Sequence, residues 1–193
     1  MGKARFEAFS DGVIAILITI MVLEMKVPHG ETLASLEPVL PVFSSYVLSF
    51  VYLGIYWNNH HHMLHMVKYV TGPMLWANLH LLFWLSLIPF VTGWMGENHF
   101  GSIPSACYGV VLLCAGIAYV ILQQLIIASQ GPDSPLKRAV GGDWKGKVSP
   151  VLYCLGIGGA FVHCWLALAC YIAAACIWVV PDLRIERALR AEE

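Results

Sequence analysis

The chain has 193 residues, of which 59% are hydrophobic and 12% charged, and its formal net charge is −1. A soluble domain carries about 25% charged and about 45–50% apolar residues, so this composition excludes an ordinary soluble protein. The lysines and arginines form no basic face with interleaved aromatic residues, which excludes nucleic acid as a partner. The composition predicts an all-α, polytopic membrane protein with a single domain.

Five apolar runs predict six transmembrane helices, because a helix needs about 20 mostly apolar residues to cross a bilayer and the last run is long enough to be divided. Prolines and glycines mark where most of these helices begin and end. The last run, 148–180, is too long for one helix, and we divide it near His163 into a short fifth helix and a sixth. Three glycines in the fifth helix, Gly156, Gly158 and Gly159, indicate close packing against a neighbour. The predicted helices are 5–26, 38–62, 73–95, 104–129, 148–162 and 164–180, in one domain over 1–193.

Lysine and arginine lie on one side of this predicted topology. Cytoplasmic loops of membrane proteins carry an excess of these residues. Six helices place ten of the eleven on the side of both termini and only Lys26 on the other. Merging the last two helices would leave seven against four, so we expect six helices and a multi-pass plasma membrane protein with both termini in the cytoplasm. The ten are Lys3, Arg5, Lys68, Lys137, Arg138, Lys145, Lys147, Arg184, Arg187 and Arg190.

The first predicted helix combines ionisable residues with a long apolar segment. Arg5 and Asp11 lie near its cytoplasmic end. No small-residue cleavage site follows the run, so we expect a retained helix rather than a signal peptide. Ionisable side chains within a membrane helix are costly and are usually functional or paired. At about 100° per residue, Ile16, Thr19 and Leu23 share a stripe roughly 110° away from Asp11.

Two interpretations of this stripe remain open. Apolar stripes usually pack against other helices, and Asp11 would then be paired structurally. Alternatively the stripe faces a symmetry axis, because one helix per subunit cannot enclose a pore but cyclic symmetry repeats it. Rings of Ile16 and Leu23 would then form a hydrophobic constriction that gates by dewetting, with Thr19 hydroxyls between them to contact an ion.

A short motif, Arg5-x3-Phe9-Ser10-Asp11, opens the first helix, and an apolar run to Pro28 follows it. This opening resembles the signature helix of the endosomal and lysosomal transmembrane potassium channels and their prokaryotic relatives. The chain holds one six-helix repeat, as the prokaryotic members do, where animal members hold two. Further matching segments are Trp57-Asn58-Asn59-His60-His61-His62, Asn78, Pro89-Phe90-x-Thr92 and Pro181-Asp182.

The resemblance implies a potassium-conducting homotetramer with its first helices around the pore, no enzymatic activity, and no cofactor beside the permeant potassium ion. The implied partners are further copies of the chain, the lipid bilayer and potassium ions. The resemblance assigns the constriction to Ile16, Thr19 and Leu23. The sequence TVGYG, the filter of ordinary potassium channels, is absent from the chain, so selectivity must arise in another way. The motif residues implied to support the pore helix without touching the ion are Arg5, Phe9, Ser10 and Asp11.

Four histidines cluster near the cytoplasmic end of the second predicted helix. His61 and His65 have the spacing at which two histidines share a metal ion. A catalytic metal needs more ligands than the remaining, scattered histidines supply, so we expect no metal site. We expect pairing instead, because an unpaired buried charge costs several kcal/mol. The prediction is that Asp11 or Ser10 is bonded to one of Trp57, Asn58, His60, His61 or Asn78.

Two other functions remain open at this point. A secondary transporter would use Asp11 as a coupling-ion site, although transporters usually have paired repeats with broken helices, and the first helix here is predicted to be unbroken. A membrane metalloenzyme would use the histidine cluster from His60 to His65. Metal analysis of the purified protein distinguishes this enzyme from a channel.

Overall fold

The computed structural model describes residues 2–131, 134, 136, 137, 141 and 144–179, and within this part the chain is helical and has no strand. Four of its segments are long and apolar enough to cross a membrane: Lys3–Leu23, Leu33–His65, Gly72–Glu97 and Ser102–Gln130. Cys164–Val179 is a shorter apolar helix. Several residues used in the sequence analysis lie outside the described part, namely Arg138, Val180, Pro181-Asp182, Arg184, Arg187 and Arg190.

Seven α-helices are present in the described part, and most agree with the predicted runs to within four residues. The second predicted helix is preceded by a 3₁₀ helix, Leu33–Val39, which contains Pro38. The first helix ends at Leu23, earlier than predicted, because its last turn tightens and the Met25 N–H bonds to the Val22 carbonyl three residues back at 3.2 Å. The helices are α1 (Lys3–Leu23), α2 (Leu40–His65), α3 (Gly72–Ser86), α4 (Ile88–Glu97), α5 (Ser102–Gln130), α6 (Trp144–Gly159) and α7 (Cys164–Val179).

The third predicted helix, 73–95, is in fact two helices that meet at Leu87. Pro89 has no backbone N–H and so cannot donate to the carbonyl of Leu85, which interrupts the helical ladder. The Leu87 N–H bonds to the carbonyl three residues back, that of Trp84 at 3.2 Å, rather than four, and the Leu87 carbonyl accepts from Val91 at 3.1 Å. The interruption is confined to one turn, so α3 and α4 together still form one segment of membrane-crossing length.

The division of the last apolar run near His163 agrees with the structure. Helix α6 ends at Gly159, and the His163 ring accepts a hydrogen bond from the Trp165 N–H at 3.3 Å, at the start of α7. Two of the three glycines predicted to allow close packing do so: a Cβ at Gly156 would overlap the Tyr171 ring, and one at Gly159 would press on Leu166.

Tyrosines join the helices in the interior of the protomer. The Tyr52 hydroxyl on α2 donates to the Tyr171 carbonyl on α7 at 2.6 Å, and the Tyr171 hydroxyl donates to the Ser105 carbonyl on α5 at 2.9 Å. All three residues are buried. Helix α5 also contacts α3, α4 and α6, while α1 packs against α2, α3 and α4. The opening helix therefore packs against other helices of the N-terminal half of the chain.

Candidate functional site: the opening helix and its support

Helix α1 has one buried and one exposed face. Its buried residues recur every three or four positions, which is the period of a single helical face packed against other helices. On the opposite side of the helix, Ile16 is 57% and Leu23 is 80% exposed. The helix therefore contributes one face to the core of its own protomer and leaves the other uncovered. The buried residues are Phe6, Ser10, Ile14, Leu17 and Met21.

The predicted stripe of Ile16, Thr19 and Leu23 lies on the uncovered face, and Thr19 is also exposed. The Thr19 hydroxyl donates its hydrogen to the Ile16 carbonyl at 2.9 Å. A hydroxyl has one hydrogen and two acceptor lone pairs, so this bond leaves the Thr19 oxygen as an acceptor toward the outside of the helix. The stripe thus combines two large apolar side chains with one oxygen ligand between them.

The buried face of α1 is held by a chain of side-chain hydrogen bonds. The His60 Nε2 on α2 is 2.7 Å from the Asn78 Oδ1 on α3. The Asn78 Nδ2 donates to the Ser10 Oγ on α1 at 2.9 Å, and the Ser10 hydroxyl donates to the Phe6 carbonyl at 3.0 Å. His60, Asn78 and Ser10 are each at most 1% exposed. The bond from Asn78 to Ser10 is of the kind predicted, since it joins the opening helix to one of the five candidate partner residues.

The direction of each bond in this chain follows from the groups present. Ser10 has one hydroxyl hydrogen, which goes to Phe6, so it accepts from Asn78. The Asn78 carbonyl oxygen can only accept, so the His60 Nε2 carries a hydrogen and donates. The His60 Nδ1 is buried and has no hydrogen-bond partner among the residues that the structure describes. The Asp11 side chain is only half-buried. The buried hydrogen bond of the opening motif is therefore the one that Ser10 accepts from Asn78.

The four residues of the opening motif do not share one environment. Ser10 is buried and bonded, and Asp11 is half-buried. Arg5 is exposed and Phe9 is 50% exposed, both on the uncovered side of α1. The structure therefore shows a supporting contact for Ser10 within the chain. The side chains of Arg5 and Phe9 are exposed instead.

The remaining predicted partners on α2 face away from Ser10. The Trp57 ring is 46% exposed and stacks on the exposed His61, which in turn stacks on His65 at a centroid distance of 6.1 Å. Asn58 is half-buried. Only His60 among the clustered histidines belongs to the fully buried face, four residues after Tyr56. Within the described residues, no group of three or more His, Cys, Asp or Glu side chains is placed to hold a metal ion.

A second buried polar chain was not anticipated from the sequence. The Tyr108 hydroxyl on α5 lies 3.0 Å from the Ser49 Oγ on α2, which lies 2.6 Å from the Thr92 Oγ1 on α4. The Thr92 hydroxyl donates to the Ile88 carbonyl at 2.6 Å, so Ser49 donates to Thr92 and Tyr108 donates to Ser49. Thr92 belongs to the segment Pro89-Phe90-x-Thr92, which resembles the family. The sequence does not indicate which residue a small hydroxyl side chain in a membrane helix bonds to, so this polar chain could not be predicted.

The fold and this site define an all-helical membrane protein whose opening helix is clamped on one face and uncovered along an apolar, threonine-containing stripe on the other. A family profile described as endosomal/lysosomal potassium channel TMEM175 matches residues 5–89. A Chryseobacterium sp. (strain P1-3) protein named a potassium channel is 53% identical over 190 residues, 98% of this chain and 99% of the relative. The chain therefore belongs to the TMEM175 family.

Two further comparisons agree with this assignment. A Streptomyces collinus protein named a potassium channel is 31% identical over 182 residues, covering 88% of this chain and 87% of the relative. The crystal structure of a lysosomal potassium-selective channel TMEM175 homolog from Chamaesiphon minutus superposes with a TM-score of 0.81, at 24% identity, over 93% of this chain and 97% of that one. At that level of identity the superposition establishes that the two chains share a fold.

Proposed function

We propose that this chain forms a potassium-permeable channel and is not an enzyme. Its relatives in Chryseobacterium and Streptomyces collinus are named potassium channels, and they match nearly the whole of this chain. The observation that carries the proposal here is the uncovered stripe of α1. Ile16 and Leu23 are among the large hydrophobic side chains that the protomer leaves exposed, and Thr19 lies between them.

Four copies of the chain enclose the pore in this proposal. One helix cannot surround a conduction path, whereas a closed cyclic assembly brings the same face of α1 to the axis from every subunit. Ile16 and Leu23 are separated by seven residues, or roughly 10 Å along a helix at 1.5 Å per residue. They form two apolar rings, which restrict ion passage when the space between them loses its water.

Thr19 supplies the oxygen layer between the two rings. Its hydroxyl hydrogen is already donated to the Ile16 carbonyl, so the oxygen presents lone pairs to a cation that has lost part of its hydration shell. Potassium is the permeant species and no other cofactor is needed. Ser10, with His60 and Asn78 behind it, sets the rotation of α1 and so the direction in which the stripe faces. Arg5, Phe9 and Asp11 complete the supporting motif.

The proposed topology is one six-helix transmembrane domain over residues 1–193, with α3 and α4 forming a single membrane-crossing segment. Helices α6 and α7 have 16 residues each and are the fifth and sixth transmembrane helices of this proposal. Both termini lie in the cytoplasm of a plasma membrane protein, because this arrangement places ten of eleven lysines and arginines inside. Lys26 alone lies outside, where it pairs with Glu97 at 3.4 Å.

Reconstitution in planar bilayers tests this function. Purified protein is placed under a potassium gradient against sodium, and the reversal potential is measured. A channel of the proposed kind carries current that reverses toward the potassium equilibrium potential. An absence of current, or a chloride permeability equal to that of potassium, contradicts the proposal. Crosslinking of the purified protein checks the subunit number, for which a largest species other than a tetramer counts against four-fold symmetry.

A further inference from the structure

A cavity of about 320 Å³ lies between α2, α5, α6 and α7, away from the opening helix. It extends toward the end of the bundle where α2 ends and α6 begins. Apolar pockets of about 300–1,000 Å³ with a few polar groups are the usual form of ligand sites. Its wall includes Tyr56, Ile117, Val120, Ile121, Tyr153 and Trp178.

Several polar groups in the wall of this cavity already have hydrogen-bond partners. The Trp178 indole N–H donates to the Ser149 hydroxyl at 2.7 Å, and that hydroxyl donates to the Lys145 carbonyl at 2.8 Å. The Tyr119 hydroxyl donates to the Asn59 carbonyl at 3.3 Å. Since these hydrogens are used within the wall, the cavity offers mainly carbon to an occupant. An apolar occupant fits it better than water or an ion.

The mouth of the cavity opens on the side of α5. Ile117, Val120 and Ile121 line the cavity and are 48%, 39% and 41% exposed. They lie in the middle of a 29-residue helix that is long and apolar enough to cross a membrane. At that depth the surrounding medium is lipid hydrocarbon. The apolar molecules that reach this mouth from the bilayer are acyl chains.

A glycine keeps the cavity open. A Cβ at Gly116 would meet only the Tyr153 ring at 3.8 Å and the Tyr56 hydroxyl at 3.9 Å, both ordinary contacts. Gly109 on the same helix differs, because a Cβ there would overlap Tyr171. Packing therefore demands a glycine at 109 but not at 116. The missing side chain at 116 leaves space that faces the cavity.

Positive charge lies at one end of the cavity. Gly146 is part of the wall and is flanked in sequence by Lys145 and Lys147. The Lys145 Nζ lies 5.7 Å from the centroid of the Trp178 ring, and Lys147 is exposed. Basic residues beside a cleft between membrane helices attract anionic lipid head groups.

We infer that one acyl chain of an anionic phospholipid occupies this cavity, with its phosphate drawn to the positive charge of Lys145 and Lys147 at the start of α6. The chain enters past Ile117 and Ile121 and lies against Gly116. The site is formed by a single protomer and lies on helices other than α1. Its occupancy therefore does not depend on ion conduction, and a failure of the channel proposal leaves it unaffected.

Photo-crosslinking in the purified, assembled protein tests this site. Phosphatidylglycerol and phosphatidylcholine with the same diazirine-bearing acyl chain are added separately, and labelled peptides are identified by mass spectrometry. We expect labelling of peptides containing Ile117 and Tyr153, several-fold stronger with phosphatidylglycerol. Gly116→Leu, which fills the cavity, removes most of this labelling. Gly158→Leu is the matched control, because a Cβ at Gly158 meets nothing within 4 Å.

The double variant Lys145→Gln/Lys147→Gln separates the head group from the acyl chain. It retains labelling of the wall but makes the two lipids equal. The inference is overturned if both lipids label the wall equally in the unaltered protein, or if Gly116→Leu leaves labelling unchanged. If Gly116→Leu fails to assemble, a competition experiment on the unaltered protein replaces it. Unlabelled phosphatidylglycerol should reduce labelling of the wall by the diazirine probe more than unlabelled phosphatidylcholine does, and equal reduction overturns the inference.

Discussion

Asn78 on α3 donates a hydrogen bond to Ser10 on α1 at 2.9 Å, across 68 residues of sequence. The same amide accepts from His60 on α2, so one side chain joins three helices. All three groups are buried, where an unmade hydrogen bond is costly. The bond turns the Ser10 face of α1 toward its own protomer and thereby directs Ile16, Thr19 and Leu23 outward.

Replacing Asn78 by leucine should destabilise the protein. The change leaves the Ser10 oxygen and the His60 N–H without partners in the interior, at about 1–3 kcal/mol for each unsatisfied group. Thermal unfolding in detergent, followed by size-exclusion chromatography, should show a clear decrease in stability. Asn58→Leu is the matched control, since Asn58 is only half-buried and should lose little. Equal losses for the two variants would contradict the assigned role of Asn78.

Asparagine at Ile16 or Leu23 should raise the conductance or abolish its regulation. A polar ring holds water in a constriction that an apolar ring dries, so the barrier to ion entry decreases. Single-channel recordings of Ile16→Asn and Leu23→Asn check this. Val110→Asn, at a 42% exposed position on α5, controls for adding a polar group to a membrane helix. If conductance stays unchanged in both pore variants, the constriction is assigned to the wrong residues.

Thr19→Val should lower the ratio of potassium to sodium permeability. Valine has the same shape as threonine but no oxygen, so a dehydrated ion loses a ligand between the two apolar rings. The reversal potential under a potassium against sodium gradient should shift toward zero. Thr19→Ser keeps the hydroxyl and should retain the selectivity of the unaltered protein. A reversal potential in Thr19→Val that matches Thr19→Ser would exclude Thr19 as the selective layer.

Tyr108→Phe should cost about 1 kcal/mol of stability. The variant removes the donor to Ser49, and a typical intramolecular hydrogen bond contributes about 0.5–1.5 kcal/mol. The Ser49 and Thr92 hydroxyls can still bond to each other, so assembly should survive. Tyr46→Phe serves as the control, because Tyr46 is half-buried and its ring contacts Phe43. This variant should be neutral in the unfolding assay. The opposite order of the two stabilities would refute a stabilising bond between Tyr108 and Ser49.

Alanine at Gly156 and at Gly158 should have opposite effects. A Cβ at Gly156 overlaps the buried Tyr171 ring, so Gly156→Ala should separate α6 from α7 and destabilise the protein. A Cβ at Gly158 meets nothing within 4 Å, and alanine is about 1 kcal/mol better than glycine within a helix. Gly158→Ala should therefore be neutral or stabilising in thermal unfolding. A stable Gly156→Ala protein would show that the two helices do not pack as described.

The approximate bounds of most apolar segments followed from the sequence because they depend on local composition. A bilayer requires long apolar runs, and proline and glycine interrupt them locally. The break at Leu87 was missed although Pro89 was evident, since a proline can begin, kink or end a helix according to what packs around it. The start of α6 at Trp144 was missed because its first residues are polar and lie outside the apolar run.

The stripe of Ile16, Thr19 and Leu23 was evident from the sequence, because helical periodicity alone places these residues on one face. Whether that face is buried or uncovered was not determined by periodicity, since the same pattern serves packing and pore lining. The tertiary structure decided it by burying Ser10 and the opposite face. It also placed Asn78, one of five candidate partners, against Ser10, with His60 bonded behind it. Contacts between helices depend on how α1, α2 and α3 are rotated against one another, and no local pattern encodes that rotation.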